Sequence, residues 1–363
     1  MSDSRPKAPQ WALAVTVVLL GGCSPSPGPA SHADQPVARK STASNAASPT
    51  PETKLGNFPD LPRGALPEPG AARMQAALDE TVAQGTIRGA TAAVIVAGSG
   101  TWTGASGSDL EGNALTAETA LDPASTPKTV TAAQVLRLVE QGVLGLDDPA
   151  AEHLPGGLGP FTANGATIRH LLGMRSGLTD TSTDSLGPNT PLAERVAAIP
   201  PARTPAGPTI TYANVNYDLL SAIIEDATGQ SETTVLEAGV LAAPGRKELE
   251  GDDVRAMTLA RWGYDLYGGF VLSDASLAQM TDFNGEWYGL GAIDFSHPDA
   301  QNGYDPPAVG HGGQSDGSVV RLVAFPDTGI VVAVLSLADD FEDIQPLVVS
   351  LRDIAQTTPA PAQ

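Results

Sequence analysis

The stretch "LDPASTPKTVTAAQVLRLVEQG", residues 121–142, places a charged side chain where few are found. The chain has only five lysines, and three of them (Lys7, Lys40, Lys54) precede the region that reads as folded. Lys128 stands near the start of a run of Ala, Val, Leu and Thr whose spacing predicts a helix from Ser125 to Gln141. Gly142 closes it as a natural C′ residue. Pro127 is tolerable only in a helix's first turn, where no backbone donor is lost. That puts Ser125 at the helix N-terminus, where the dipole favours developing negative charge. The i, i+3 spacing then brings the Lys128 amine beside the Ser125 hydroxyl. An amine shielded by apolar surroundings has its charged form disfavoured and can serve as a base. A surface lysine whose stem lies along a core helix would show the same spacing. So does the pair Ser4 and Lys7, which lacks any such context.

The flanking segments supply a fold. Residues 71–84 read as a helix, and "TAAVIVAGSGTWTGA" reads as two strands joined through Gly98-Ser99-Gly100. "ATIRHLLGM" and "YDLLSAIIEDATG" have helical spacing, with His170 packing at a helix end. Then "YGLGAIDF", "SVVRLVAFP" and "GIVVAVLSL" read as strands, the last two turning at Pro326–Gly329, and residues 341–355 form a closing helix. Strands at both ends with helices between predict an α+β fold whose sheet is assembled from both termini.

The N-terminal segment predicts export. Arg5 and Lys7 precede the apolar run from Trp11 to Leu20, which is too short for a bilayer span of roughly 20 residues. It fits a signal-peptide core over residues 1–22. Leu20-Gly21-Gly22-Cys23 resembles a bacterial lipobox, and Cys23 is the chain's one cysteine, which excludes an internal disulfide. Residues 23–65 read as a lipidated Cys followed by a disordered tether, residues 66–358 as the folded domain and 359–363 as a disordered tail. The expectation is a protein held by its lipid at the outer face of the cell membrane. The formal net charge of −21 argues against nucleic acid, whose binding rests on Lys and Arg.

Two further stretches carry candidate chemistry. "TYANVNYDLL" offers Tyr212, able to relay protons, and Asn214, able to hold a substrate amide, although Tyr-x-Asn also fits loop capping. "VGHGGQSDGSVV" places His311, Gly312 and Gly313 where a substrate backbone could approach a sheet edge, or at an ordinary turn. Within it, Gly313–Gly317 matches G-x-S-x-G, the nucleophile elbow of α/β-hydrolases. The elbow needs a following helix and a later histidine; a strand-like run follows here and His311 is the last histidine. The five histidines show no metal-binding spacing, and Gly98–Gly104 misses the dinucleotide fingerprint, so neither metal nor cofactor is expected.

Taken in order, "ASTPKTVTAAQVLRLVEQGVLGLDDPAAEHLP", "IRHLLGMRSGL", "YANVNYDLLSAIIEDATGQ", "YGLGAIDF" and "GHGGQSDG" resemble the serine β-lactamase and penicillin-binding superfamily, in its class C-like branch. The resemblance covers about residues 66–355 and implies an antiparallel sheet flanked by helices, with a mainly helical subdomain. It implies Ser125 as nucleophile, Lys128 as base, Tyr212 completing the proton path and Asn214 binding a substrate amide. It puts His311, Gly312 and Gly313 in the place of K-T-G, with an oxyanion hole from the amides of Ser125 and Gln314. There are departures: histidine for lysine at 311, Gly173-Met174-Arg175 for a Thr-His-Thr-like triplet, and a short segment 238–262 that suggests an open cleft. The expected activity is serine hydrolysis of a small ester, amide or peptide. The alternatives are a D,D-carboxypeptidase or weak β-lactamase, and a penicillin sensor that acylates without turnover. With His311 near its ordinary pKa of about 6.5, short uncharged esters are expected to outrun penicillins. Oligomeric state stays open.

Overall fold

The computed structural model describes residues 55–154, 164–180, 190–300, 304–305, 307–315 and 317–359. The expected signal peptide, Cys23, the expected tether through residue 54 and residues from 360 onward lie outside the described residues. In chain order the helices are α1 (Glu68–Ala83), α2 (Lys128–Glu140), α3 (Ile168–Leu172), α4 (Leu192–Ala197) and α5 (Val215–Thr228). After these come α6 (Glu232–Ala238), α7 (Ala256–Tyr267), α8 (Asp274–Met280) and α9 (Phe341–Thr357). The main sheet is antiparallel and runs β2 (Gly100–Gly107), β1 (Gly89–Val96), β8 (Ile330–Leu337), β7 (Ser318–Phe325), β6 (Val309–Ser315) and β5 (Ile293–Asp294). A two-residue pair, β3 (Ala120–Leu121) with β4 (Val254–Arg255), stands apart.

The sheet is built from both ends of the chain because its central strands are apolar on both faces. β1 and β7 are buried at every residue, which requires cover on each side. Successive side chains of a strand point to opposite faces. On β7, Leu322 meets Gly263 of α7, whereas Arg321 lies 3.8 Å from the Phe341 ring of α9. So α7 covers one face and α9, packed with α1, the other. Trp262 of α7 donates to the Thr129 hydroxyl of α2 at 2.7 Å, which ties α2 to the α7 side. β5 pairs only with Val309 and Gly310, leaving the later residues of β6 without a strand neighbour on that side among the described residues. That open stretch of strand faces the site.

Three boundaries differ from the sequence reading. The helix expected from Ser125 starts at Lys128, because the three residues before it form tight turns with Lys128 N bonded to Ser125 O at 3.2 Å. "YGLGAIDF" is mostly a turn: Gly291 adopts φ 80°, Gly289 N bonds Ala292 O, and only Ile293–Asp294 pair as strand. Packed structure begins before residue 66. Phe58 is buried, Gly56 N donates to Tyr267 O at 3.0 Å, and Ala65 bridges Thr101 on β2.

Candidate active site

The turn from Pro123 to Pro127 presents Ser125 at the foot of α2, and one helical turn later Lys128 points back at it. Lys128 Nζ donates to Ser125 Oγ at 2.9 Å. Burial pushes the lysine down to about 8, against the raising influence of Asp180 and Asp218. The rings of Tyr212 and Tyr217 lie 5.5 and 5.8 Å from the ammonium and shield it from water. Tyr212 stands beside the lysine, 37% exposed, and desolvation of its hydroxyl pushes its pKa up to about 12, against the lowering influence of the Ser125 side chain. Of the two groups on Ser125, the amine is the one that changes protonation near neutral pH. Tyr212 stays a phenol.

Tyr212 and Asn214 stand before α5, whose start is held by a residue far back in the chain. Asp180 accepts from Asn214 N at 2.7 Å and Val215 N at 3.1 Å, meeting two donors that a helix N-terminus otherwise leaves open. The far end of α5 closes on Gly229 in the left-handed region, φ 68°. Asn214 keeps its own side chain on the cleft wall.

On β6 the side chains alternate, and the parity decides who meets the site. Gly313 faces Ser125: a Cβ there would lie 2.3 Å from Ser125 N and 2.6 Å from the Ala124 Cβ. Only glycine permits this approach. Gly312 faces the opposite way, under the Arg321 guanidinium, where a Cβ would lie 2.2 Å from Nη1. His311 lies off the cleft, contrary to expectation. It is 1% exposed and does not line the cleft, so it cannot hold a substrate directly. Its Nδ1 lies 2.7 Å from Gly312 O and its Nε2 3.2 Å from the Tyr288 hydroxyl. A neutral ring donating from Nδ1 and accepting at Nε2 satisfies both. Burial, with Lys128 and Arg321 nearby, pushes its pKa down to about 3.

The cleft has a volume of about 490 Å³. Ser125, Tyr212, Asn214, Gly313 and Gln314 occupy one side, and Trp287, Phe295 and Phe341 give it aromatic walls. None of residues 238–262 lines it. The Gln314 side chain donates to Asp339 O. Ser315 is at the end of β6, paired with Ser318 across a hairpin, so no helix follows and the elbow geometry is absent. A larger cavity of about 760 Å³, bordered by Arg63, Arg246 and Arg261, lies at the β2 edge of the sheet and does not contain the serine–lysine pair. Among the described residues no group of three or more His, Cys, Asp or Glu is placed to hold a metal ion.

Several site residues carry no sequence signal. Tyr217 and Tyr288 sit in helical or turn segments indistinguishable from core, and Asp180 precedes the helix it caps by 35 positions. Arg321 is hidden in an apolar strand. The i, i+3 pattern found Lys128 because both partners lie in one turn.

Comparison with known proteins identifies the family and the fold. The family described as Beta-lactamase matches residues 74–256. The chain is 34% identical over 117 residues to Protein flp of Staphylococcus aureus, covering 30% of this chain and 24% of that protein. It is 32% identical over 135 residues to Penicillin-binding protein 4* of Bacillus subtilis, covering 34% and 29%. The matched region thus spans 24–29% of those relatives' length. Among solved structures, D-amino acid amidase from Ochrobactrum anthropi SV3, complexed with D-phenylalanine, superposes with TM-score 0.66 at 20% identity, over 80% of this chain and all of that one. The octameric penicillin-binding protein homologue from Pyrococcus abyssi does so with TM-score 0.61 at 22% identity, over 78% and 76%. With half of its length matched, and with the fold of the amidases and penicillin-binding relatives around a serine–lysine pair, the chain belongs to the Beta-lactamase family of serine hydrolases.

Proposed function

We propose that this protein hydrolyses small esters or amides through an acyl-enzyme on Ser125. The neutral amine of Lys128 takes the Ser125 proton as Oγ attacks the carbonyl carbon. The resulting oxyanion is received by the backbone amides of Ser125 and Gln314, and Tyr212 passes the proton to the departing alcohol or amine. Water then attacks the ester on Ser125 with the same groups working in reverse. Asn214 holds the substrate's amide. One observation carries this reading: the 2.9 Å contact between Lys128 Nζ and Ser125 Oγ, with the lysine brought down to about 8 by burial.

Uncharged esters are the favoured substrates, since His311 is neutral, buried and engaged at both ring nitrogens and offers nothing to a carboxylate. A second reading, a D,D-carboxypeptidase or weak β-lactamase on cell-wall peptides, draws on Arg321, a buried cation (1% exposed) that borders the cleft from behind. The names of the amidase and penicillin-binding relatives point the same way. The protein is further proposed to be exported and anchored by lipid on Cys23.

Intact-mass spectrometry with p-nitrophenyl acetate, nitrocefin and a diacylated D-Ala-D-Ala peptide tests the reading. The expected result is a transient acyl adduct on Ser125, absent from Ser125→Ala, and faster turnover of the ester. Faster turnover of peptide or nitrocefin supports the second reading. A persistent penicillin adduct with no ester turnover makes the protein a sensor.

A further inference from the structure

The rejected elbow serine, Ser315, has no part in the proposed reaction, yet it is held by a residue beside the nucleophile. Ser315 Oγ donates to Asp122 Oδ2 at 2.6 Å, across 193 positions of sequence. The other carboxylate oxygen, Oδ1, accepts the Ala124 N–H at 2.7 Å. Across the hairpin, Ser318 Oγ donates to the Asp122 carbonyl at 3.1 Å. Asp122 therefore grips the turn leading into Ser125 with one oxygen and the β6–β7 hairpin with the other.

The turn needs such a grip. Ala124 sits at φ 48°, in the left-handed region that residues with a side chain seldom adopt. A bond from Asp122 to the amide two residues on is the local pattern by which Asp stabilises a tight turn. β6 meanwhile passes so close that Gly313 has no room for a Cβ beside Ser125 N. The two amides proposed to receive the oxyanion belong to these two elements. Ala124 directly precedes Ser125, and Ser315 directly follows Gln314.

We infer that Asp122 clasps the two halves of the oxyanion site together, which makes Asp122 and Ser315 positioning residues for acyl transfer. The clasp rests on the proposed roles of Ser125 and Gln314. It touches neither substrate nor the serine–lysine contact. Its charge-assisted bond to Ser315 is of the short, strong kind, and an asparagine would offer only one acceptor oxygen for two donors.

Ser315 is exposed, so Ser315→Ala leaves the core intact, and thermal unfolding checks that it does. The variants Ser315→Ala, Ser315→Thr and Asp122→Asn are compared for kcat/KM on p-nitrophenyl acetate and for the rate of Ser125 labelling by a fluorophosphonate. Ser315→Ala is expected to slow both by about 5–50-fold, less than the roughly 100–1,000-fold typical of deleting an oxyanion donor. Ser315→Thr, which keeps the hydroxyl, stays within about twofold of wild type, while Asp122→Asn, loosening both halves, loses more than Ser315→Ala. The pH at which the Lys128 limb appears stays where it is in wild type. Wild-type rates in Ser315→Ala, or a displaced pH limb, overturn the clasp. Failure of the wild type itself to label at Ser125 overturns instead the assignment of the nucleophile.

Discussion

A lysine titrating near 8 is about one-tenth neutral at pH 7 and about nine-tenths neutral at pH 9, so the proposed base becomes available across that interval. kcat/KM for an uncharged ester is therefore expected to rise with pH through about 8. His311, held down to about 3, adds no inflection near 6.5. A pH–rate profile from about pH 5 to about pH 10 checks both points. Lys128→Gln should flatten the profile and lower the rate by about 100–10,000-fold, the range of a lost general base. An inflection near 6.5 that disappears in His311→Gln would return the histidine to the cleft wall. Lys128 and Ser125 were legible because four consecutive residues contain their whole geometry. His311 was not, because its burial depends on Tyr288, a residue from another segment that meets its ring at 3.2 Å.

Where β6 crosses the turn before α2, two elements meet with no space for a side chain. Gly313→Ala would force a Cβ to within 2.3 Å of Ser125 N, against backbone that cannot step aside. The expected outcome is a stability loss of about 1–3 kcal/mol, the usual cost of overpacking, with acylation of Ser125 lost more completely than the fold. Chemical denaturation and fluorophosphonate labelling measure the two separately. Equal labelling in Gly313→Ala would mean that strand and turn are not in contact. The strands themselves were readable: β1, β7 and β8 are apolar runs, and the β7–β8 hairpin turns at Pro326–Gly329. The helix α5 was readable from its spacing and its closing glycine. What supports these elements was less so, since Asp180 reaches α5 from outside it and the Gly291 turn interrupts a run that alternates like a strand.

The described part of the chain holds its own first residues tightly. The Tyr264 hydroxyl donates to Pro59 O at 2.8 Å, and its ring lies 5.1 Å from that of Phe58. A chain starting at Leu55 is expected to unfold at the same temperature as the full-length protein. One starting at Leu66 forfeits the burial of Phe58, worth about 1.5–3 kcal/mol, together with the Gly56 and Pro59 hydrogen bonds. Differential scanning calorimetry of the two truncations decides it, and equal melting temperatures would restore the tether boundary to residue 65. The sequence reading starts the domain too late, because nothing in "GNFPDLPRG" alone shows that Phe58 packs on Tyr264.

The pairing of β1 with β8 also bears on how the protein is made. Gly89 faces Leu337 and Val96 faces Ile330, so the centre of the sheet joins strands roughly 240 residues apart. Closing a loop of that length costs about 5 kcal/mol in chain entropy before any contact forms. During synthesis β1, apolar on both faces, can pair at once with β2, but its other edge waits until β8 has been made. A nascent chain released just before Ile330 would contain Ser125, Lys128, Tyr212, Asn214 and Gln314 and still lack the strand that gives them a common frame. Joining of the β1–β2 hairpin to the rest of the sheet is thus a late event, and a chain that stops before β8 exposes the free edge of β1 as a sticky template.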